Sequence, residues 1–324
     1  MKLINQSAQY LPQQAGIDGI YKQIELAGRT SYLSWDKMTD DSAKKFVDML
    51  IKSKHTSVLE HGTVYLKLPP VISSNEIPNS FDFMHNPYSK VVVNGYDADY
   101  VTTNYRVLME NNWTEFLKYL CEPTEFHEKR LSVKVVTDIG VTREFNRHRT
   151  FSIVEQSTRY CNFSKDKFGN ELTFIIPEYW KEYYRVSLNQ NDEYSCKNSG
   201  NGILILNQNQ ETVDWNFVRN KMLCETLINL LDIENHYIFM TSYTYNGKTP
   251  YKPEQARQIL PLCTKTEVVY TAFESDWRHF FDLRLFGKTG EPHPQMKQLA
   301  ELIKQEFEKA GVWEGIMKYP SKYE

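Results

Sequence analysis

Cysteine is scarce and badly spaced for cross-linking. Cys121, Cys161, Cys196, Cys224 and Cys263 make an odd number, lie far apart and include no Cys-x-x-Cys pair. This pattern argues against a disulfide framework and against a zinc site, so no metal is expected; it suits the reduced thiols of a cytoplasmic protein. Long apolar runs are also missing. No stretch of 18 apolar residues occurs, and the opening MKLINQSAQYLPQQAGIDGIY has no continuous apolar segment, which disfavours a membrane span and a secretory signal. Nor is there an excess of one charge. With 38 Lys and Arg against 41 Asp and Glu the formal net charge is -3, which gives no reason to expect nucleic acid or an anionic membrane as partner. Any anion must be bound locally.

What is present is the composition of a globular chain: 324 residues, 41% apolar and 24% charged, enough to bury one sizeable core or two modest ones. Aromatics are plentiful at 14%, with 21 Tyr and 17 Phe, which serves core packing and stacking on flat ligands alike. No internal repeat or Pro/Gly linker divides the chain, so a single α+β domain, with a mixed or antiparallel sheet flanked by helices, is the simplest reading.

Hydrophobic spacing predicts the elements. DDSAKKFVDMLIKS, from Asp40, offers an acidic N-cap followed by Phe46, Val47, Leu50 and Ile51 on a helical face. TVYLKL alternates Val64, Leu66 and Leu68 with more polar residues until Pro69 and Pro70 stop it, as a half-buried strand should. Residues 71 to 130 read as an elaboration with helical patterns near YVTTNYRVLMENN and WTEFLKYL. Leu131, Val135 and Ile139 repeat every four residues toward TREFNRHR, predicting a helix that carries Arg143 and Arg147 on one face. The stretch Asn189 to Thr212 is rich in Asn, Gly and Ser and reads as a surface loop, part of a second insertion at about 181 to 212. WNFVRNKMLCETLINLL reads as helical. Pro253 suits a first helical turn leading to Arg257, and CTKTEVVYTAF reads as a strand. ESDWRHFFDLRLF and HPQMKQLAELIKQEFEKAG carry helical stripes, the latter through Met296, Leu299, Ile303 and Phe307.

The densest chemistry lies in REFNRHRTFSIVEQSTRY. Arg143, Arg147, His148, Arg149 and Arg159 fall within 17 positions, with only Glu144 and Glu155 against them. Planar guanidinium forks grip phosphate oxygens in bidentate fashion, and Ser157 adds a hydroxyl. A solvated basic helix end has the same composition. The spelling is more specific: Arg147, His148, Arg149, seven further residues and Ser157 resemble the signature of flavin-dependent thymidylate synthases. Four other segments agree in order. AGRTSY supplies Ser31, and HTSVLEH supplies His55, Ser57, Glu60 and His61; ARQILPL supplies Arg257, and WRHFFDLR supplies His279 and Arg284. HPQ at His293 to Gln295 resembles the tail of the same site.

The resemblance implies FAD as cofactor, with NADPH and methylenetetrahydrofolate as co-substrates, and reductive methylation of dUMP to dTMP. It implies that Ser31, Ser57, Arg147, His148, Arg149, Glu155 and His279 bind FAD. It further implies that Glu144, Arg147, Glu155, Gln156, Ser157, Thr158, Arg159, Arg257 and Arg284 bind dUMP. Arg284 is the residue implied to ionise the uracil ring, and Arg257 is implied to reach the phosphate from a neighbouring subunit of a homotetramer. The ordinary thymidylate synthase uses a nucleophilic cysteine within Pro-Cys-His, and none of the five cysteines here has that setting. Three positions depart from the family's usual residues: Glu144 stands for Gln, Phe273 for Asn and Val154 for Asn. Glu144 and the long insertions leave open a related pyrimidine nucleotide methylase or hydroxymethylase. The arginines alone are also compatible with a non-catalytic nucleotide- or RNA-binding protein.

Overall fold

The computed structural model describes residues 1–70, 80–94, 97–180, 192–198, 203–213, 221–244, 246 and 249–323. Its frame is α+β, with one mixed and two antiparallel sheets flanked by helices. At the centre, β6 (Arg130–Asp138) and β11 (Lys265–Phe273) pair antiparallel along their whole length, from Lys265 opposite Asp138 to Phe273 opposite Arg130. β2 (Ser7–Tyr10) adds to the free edge of β6 and β7 (Ser152–Glu155) to that of β11.

The helix expected from Leu131 through Ile139 is therefore a strand over most of its length. A spacing of four satisfies the period of a strand as well as that of a helix, and Leu131, Val133 and Val135 all enter one core. The β-branched valines decide it, because they fit a pleated surface better than a helical turn. The helix begins only at Ile139 and ends at Phe145; Asp138 caps it, Oδ1 accepting from the Val141 N–H at 2.7 Å. Arg143 lies on this helix, and Arg147 lies beyond it.

A second sheet has the order β10-β9-β1-β8. β1 (Lys2–Ile4) runs parallel to β8 (Thr173–Ile175) and antiparallel to β9 (Tyr194–Asn198), which pairs with β10 (Ile203–Leu206). The expected surface loop thus holds two strands: Tyr194, Cys196, Ile203 and Ile205 are buried in alternation against helix Lys221–Ser242. Residues 189–191 and 199–202 of that stretch, and 214–220 before the helix, lie outside the described residues.

The third sheet, β3-β5-β4, joins the expected strand β3 (Thr63–Leu68) to β5 (Ala98–Asn104) and β4 (Lys90–Asn94). YVTTN belongs to β5 rather than to a helix. As the central strand it is buried at every position, so it shows no alternation in sequence. A helix follows only from Tyr105 to Glu110, Asn104 Oδ1 accepting from the Val107 N–H at 3.1 Å, and Thr114–Tyr119 forms a 3-10 helix. Residues 71–79 of the expected elaboration lie outside the described residues.

Other expected helices form at Ser42–Lys52, Pro253–Ala256, Glu274–Arg284 and Pro294–Lys309. Asp41 occupies the N-cap of the first without a side-chain capping bond, while Ala43, Val47 and Leu50 form its buried face and Phe46 and Ile51 are half-buried. All five cysteines are free thiols. Among the described residues, no helix is long and apolar enough to cross a membrane, and no His, Cys, Asp and Glu side chains cluster as metal ligands.

Met296, Leu299, Ile303 and Phe307 are fully buried against the central sheet. Replacing Ile303 by Ala should lower stability by about 2–5 kcal/mol, read from chemical denaturation, through lost burial and the cavity left behind.

Candidate active site

The loop after helix Ile139–Phe145 is fixed by aromatic packing. Phe145 stacks on Tyr270, with centroids 3.6 Å apart, and on Phe280 at 4.5 Å. The Tyr270 hydroxyl donates to Asn146 Oδ1 at 3.0 Å. Immediately beyond, Arg147 and Arg149 are exposed while His148 turns inward, 6% exposed, among Phe145, Phe151 and Phe280.

Arg284, in the last turn of helix Glu274–Arg284, meets this loop. Its Nε donates to His148 Nε2 at 3.2 Å, Nη1 to Glu144 Oε2 at 3.0 Å and Nη2 to the Glu144 carbonyl at 3.1 Å. An imidazole nitrogen that accepts from a guanidinium must be unprotonated, so the His148 proton sits on Nδ1. Burial, and then the Arg284 charge, push His148 down to about 3. His279, whose buried Nδ1 has no hydrogen-bond partner among the described residues, lies 5.7 Å from His148 between ring centroids, and burial lowers its pKa as well.

Three cavities receive the residues singled out by the sequence. The first, about 730 Å³, is walled by Glu144, Arg147, His148, Arg149, His279 and Arg284, with His293 at its edge. The second, about 1030 Å³, contains Ser31, His55, Ser57 and Ser157; the Ser157 N–H donates to the Ser31 carbonyl at 2.9 Å and joins two of its walls. The third, about 830 Å³, holds Thr158 and Arg257, whose Nη1 donates to Thr158 Oγ1 at 3.4 Å. Arg159 lies beside it, Nε 2.9 Å from Glu254 Oε2. Within one chain, Arg257 and Arg284 therefore line different cavities.

Several segment residues serve the interior. Glu155 Oε1 accepts from Thr142 and Thr266 hydroxyls, each at 3.1 Å, and burial raises its pKa. Gln156, 4% exposed, accepts from Lys265 Nζ at 3.3 Å and lies beside the Cys161 thiol. Glu60 pairs with Arg106 at 2.5 Å, and buried His61 bonds Thr271 Oγ1 at 2.8 Å, its pKa pushed down to about 3 by burial and then by Arg130. Gln295 is buried and accepts from the Glu178 N–H. Phe273 and Val154 are likewise buried. Sequence reasoning did not assign Arg143 to the third cavity, or Asp276 and Lys322 to the first. Arg143 was visible in the basic cluster, whereas no local pattern marks Asp276 or Lys322.

A family model described as thymidylate synthase complementing protein matches residues 96–310. Among solved structures, the chain is similar to a UMP/dUMP methylase, PolB, from Streptomyces cacaoi bound with 5-Br UMP. Identity is 14% and the TM-score 0.42, over 97% of this chain and 95% of that one. The same methylase bound with 5-Br dUMP gives 14% and 0.42, over 98% and 97%. Among curated proteins no relative matches.

Two depressed histidines make stability depend on pH. Between about 6.5 and about 3 the unfolded chain binds protons at His61 and His148 that the folded chain refuses, so stability falls as pH is lowered through this window. Each contributes at most about 1.4 kcal/mol per pH unit. Denaturation curves of His148→Phe should show a shallower pH dependence than the parent; an unchanged slope contradicts a neutral, buried His148.

Proposed function

Because the chain belongs to the thymidylate synthase complementing protein family, we propose that it methylates dUMP to dTMP, with methylenetetrahydrofolate as one-carbon donor, FAD as cofactor and NADPH as reductant. The observation that carries this reading is Arg284, fixed by His148 and Glu144 in the wall of a cavity that also exposes Arg147 and Arg149.

The side chains suit a flavin nucleotide. Arg147 and Arg149 have no ion-pair partner among the described residues and can take phosphate oxygens, and the hydroxyls of Ser31 and Ser57 sit in a cavity large enough for flat rings. When bound, reduced FAD supplies the hydride and relays the one-carbon unit. The protein orients and polarises. Arg284 faces the uracil carbonyls and stabilises the ionised ring, the electron-rich form from which C5 attacks the one-carbon unit. His148 keeps that guanidinium aimed, and His279 borders the flavin. Ser157 and Thr158 contribute the nucleotide side and Arg257 takes the phosphate; Arg159 joins them by exchanging Glu254 for the ligand, while Glu155 and Gln156 reach it only if they give up their bonds to Thr142, Thr266 and Lys265.

Arg257 and Arg284 line different cavities of one chain, and a second copy that brings the third cavity to the first would place them at one nucleotide. A homotetramer with shared sites is therefore part of the proposal, as is reading the stretches at about 71–130 and 181–212 as elaborations of one catalytic domain. Cysteine attack has little support in the structure. No cysteine lines the Arg284 cavity, and burial raises the thiols of Cys121, Cys161, Cys196 and Cys263, the last two to about 12 and about 11. The carboxylate of Glu144 beside Arg284 keeps a second reading in play, a methylase or hydroxymethylase of a related pyrimidine nucleotide.

The purified protein should bind FAD, bleach when NADPH is added and form dTMP from dUMP and the folate; mass spectrometry of the product separates the two readings, and a colourless, inactive protein refutes both. Arg284→Ala should remain folded and lose turnover by about 10²–10³-fold. Arg284→Lys should also fail, because it lacks the planar fork. Near-parental turnover by either folded, FAD-loaded variant contradicts the role given to Arg284.

A further inference from the structure

The family match ends at residue 310, yet the chain returns to the cavity of Arg284. Helix Trp313–Met317 docks on helix Glu274–Arg284, Arg278 Nη1 lying 3.1 Å from Met317 Sδ. Just beyond, the Tyr319 hydroxyl donates to Glu274 Oε2 at 3.5 Å, and Lys318 Nζ lies 3.6 Å from the same buried carboxylate. Ser321 is buried, and its Oγ accepts from the Tyr323 N–H at 3.2 Å. These anchors lay the Tyr323 ring nearly parallel to His279, with centroids 5.8 Å apart, and put Lys322 in the cavity wall with Arg147 and Arg149.

The charges on that wall do not balance. Glu144 answers Arg284, and Glu291 pairs with Lys297 at 3.1 Å. Asp276 is the remaining carboxylate, against Arg147, Arg149 and Lys322, none of which has an ion-pair partner within 4.0 Å among the described residues. Three unpaired cations around one acid suit a ligand carrying phosphate groups.

We propose that Lys322 binds the phosphate groups of a nucleotide held in this cavity and that Tyr323, stacked on His279, is the positioning residue that keeps Lys322 there. The inference rests on the nucleotide reading of the cavity given above. The candidate nucleotides are FAD, NADPH and dUMP, which share this chemistry, so each is titrated separately into the full chain and into Lys322→Ala, Lys322→Arg and Tyr323→Ala, at about 50 mM and about 500 mM salt.

At low salt, Lys322→Ala should weaken one of the three by about fivefold, Tyr323→Ala should weaken the same one, and Lys322→Arg should bind within about twofold of the parent. The loss should shrink at high salt, because a cation at a cavity rim is screened; a merely structural effect would not. Thermal midpoints of all four proteins should agree. Equal dissociation constants for parent and Lys322→Ala with all three nucleotides overturn this inference alone. A parent chain that binds none of them overturns it together with the proposed function.

Discussion

The guanidinium of Arg284 is constrained at all three nitrogens, and the geometry around it follows from one strand pair. β6 and β11 form the full-length antiparallel ladder, and each leads directly into a helix that starts at the opposite end of that ladder. Folding back over the sheet, the two helices approach one another, and Phe145 from the first stacks on Phe280 from the second. Glu144 thus comes from the end of one helix, His148 from the loop just beyond it, and Arg284 from the end of the other helix. A register shift between β6 and β11 would turn side chains to the wrong face and separate the three residues. Packing and electrostatics also depend on each other: His148 accepts from Arg284 only as a neutral ring, and burial keeps it neutral.

Around this fixed arginine the other cations divide into two kinds. Arg159 is matched by Glu254, and Arg130 is buried with bonds to the Glu60 carbonyl and Ser152 hydroxyl, so neither is free for a ligand without rearrangement. Arg147 and Arg149 are exposed and unmatched among the described residues. Positive charge left uncompensated on a concave wall raises the local concentration of anions even though the chain as a whole is slightly acidic.

Elements with one unambiguous period were legible in the sequence. β3 and the helix Pro294–Lys309 each bury one clear stripe, and the helix Glu274–Arg284 buries Trp277, Phe280 and Phe281 together; β11, buried at all but its first position, was legible instead from its β-branched and aromatic residues. β6 was misread because a spacing of four serves both periods, and β5 because a strand buried on both faces does not alternate. β9 was hidden by Ser195, Lys197 and Asn198, and β10, the short apolar run Ile203–Leu206, by the Asn, Gly and Ser residues that flank it in sequence. At the site, the residues adjacent in sequence, Arg147 to Arg149, were visible as a group. The Glu144 contact to Arg284, the bond of half-buried Glu155 to Thr266 and the burial of Gln156 beside Lys265 depend on which strands become neighbours, and a lone lysine such as Lys322 carries no local signal.

The central claim is that arginines distant in the chain converge on one pyrimidine nucleotide. A crystal structure of the assembled protein with FAD and dUMP tests it directly. The account requires the Arg284 guanidinium at the pyrimidine edge and an Arg257 from a second copy within hydrogen-bond reach of the same nucleotide's phosphate. Finding dUMP away from Arg284, or Arg257 facing solvent in every copy of the assembly, would contradict it.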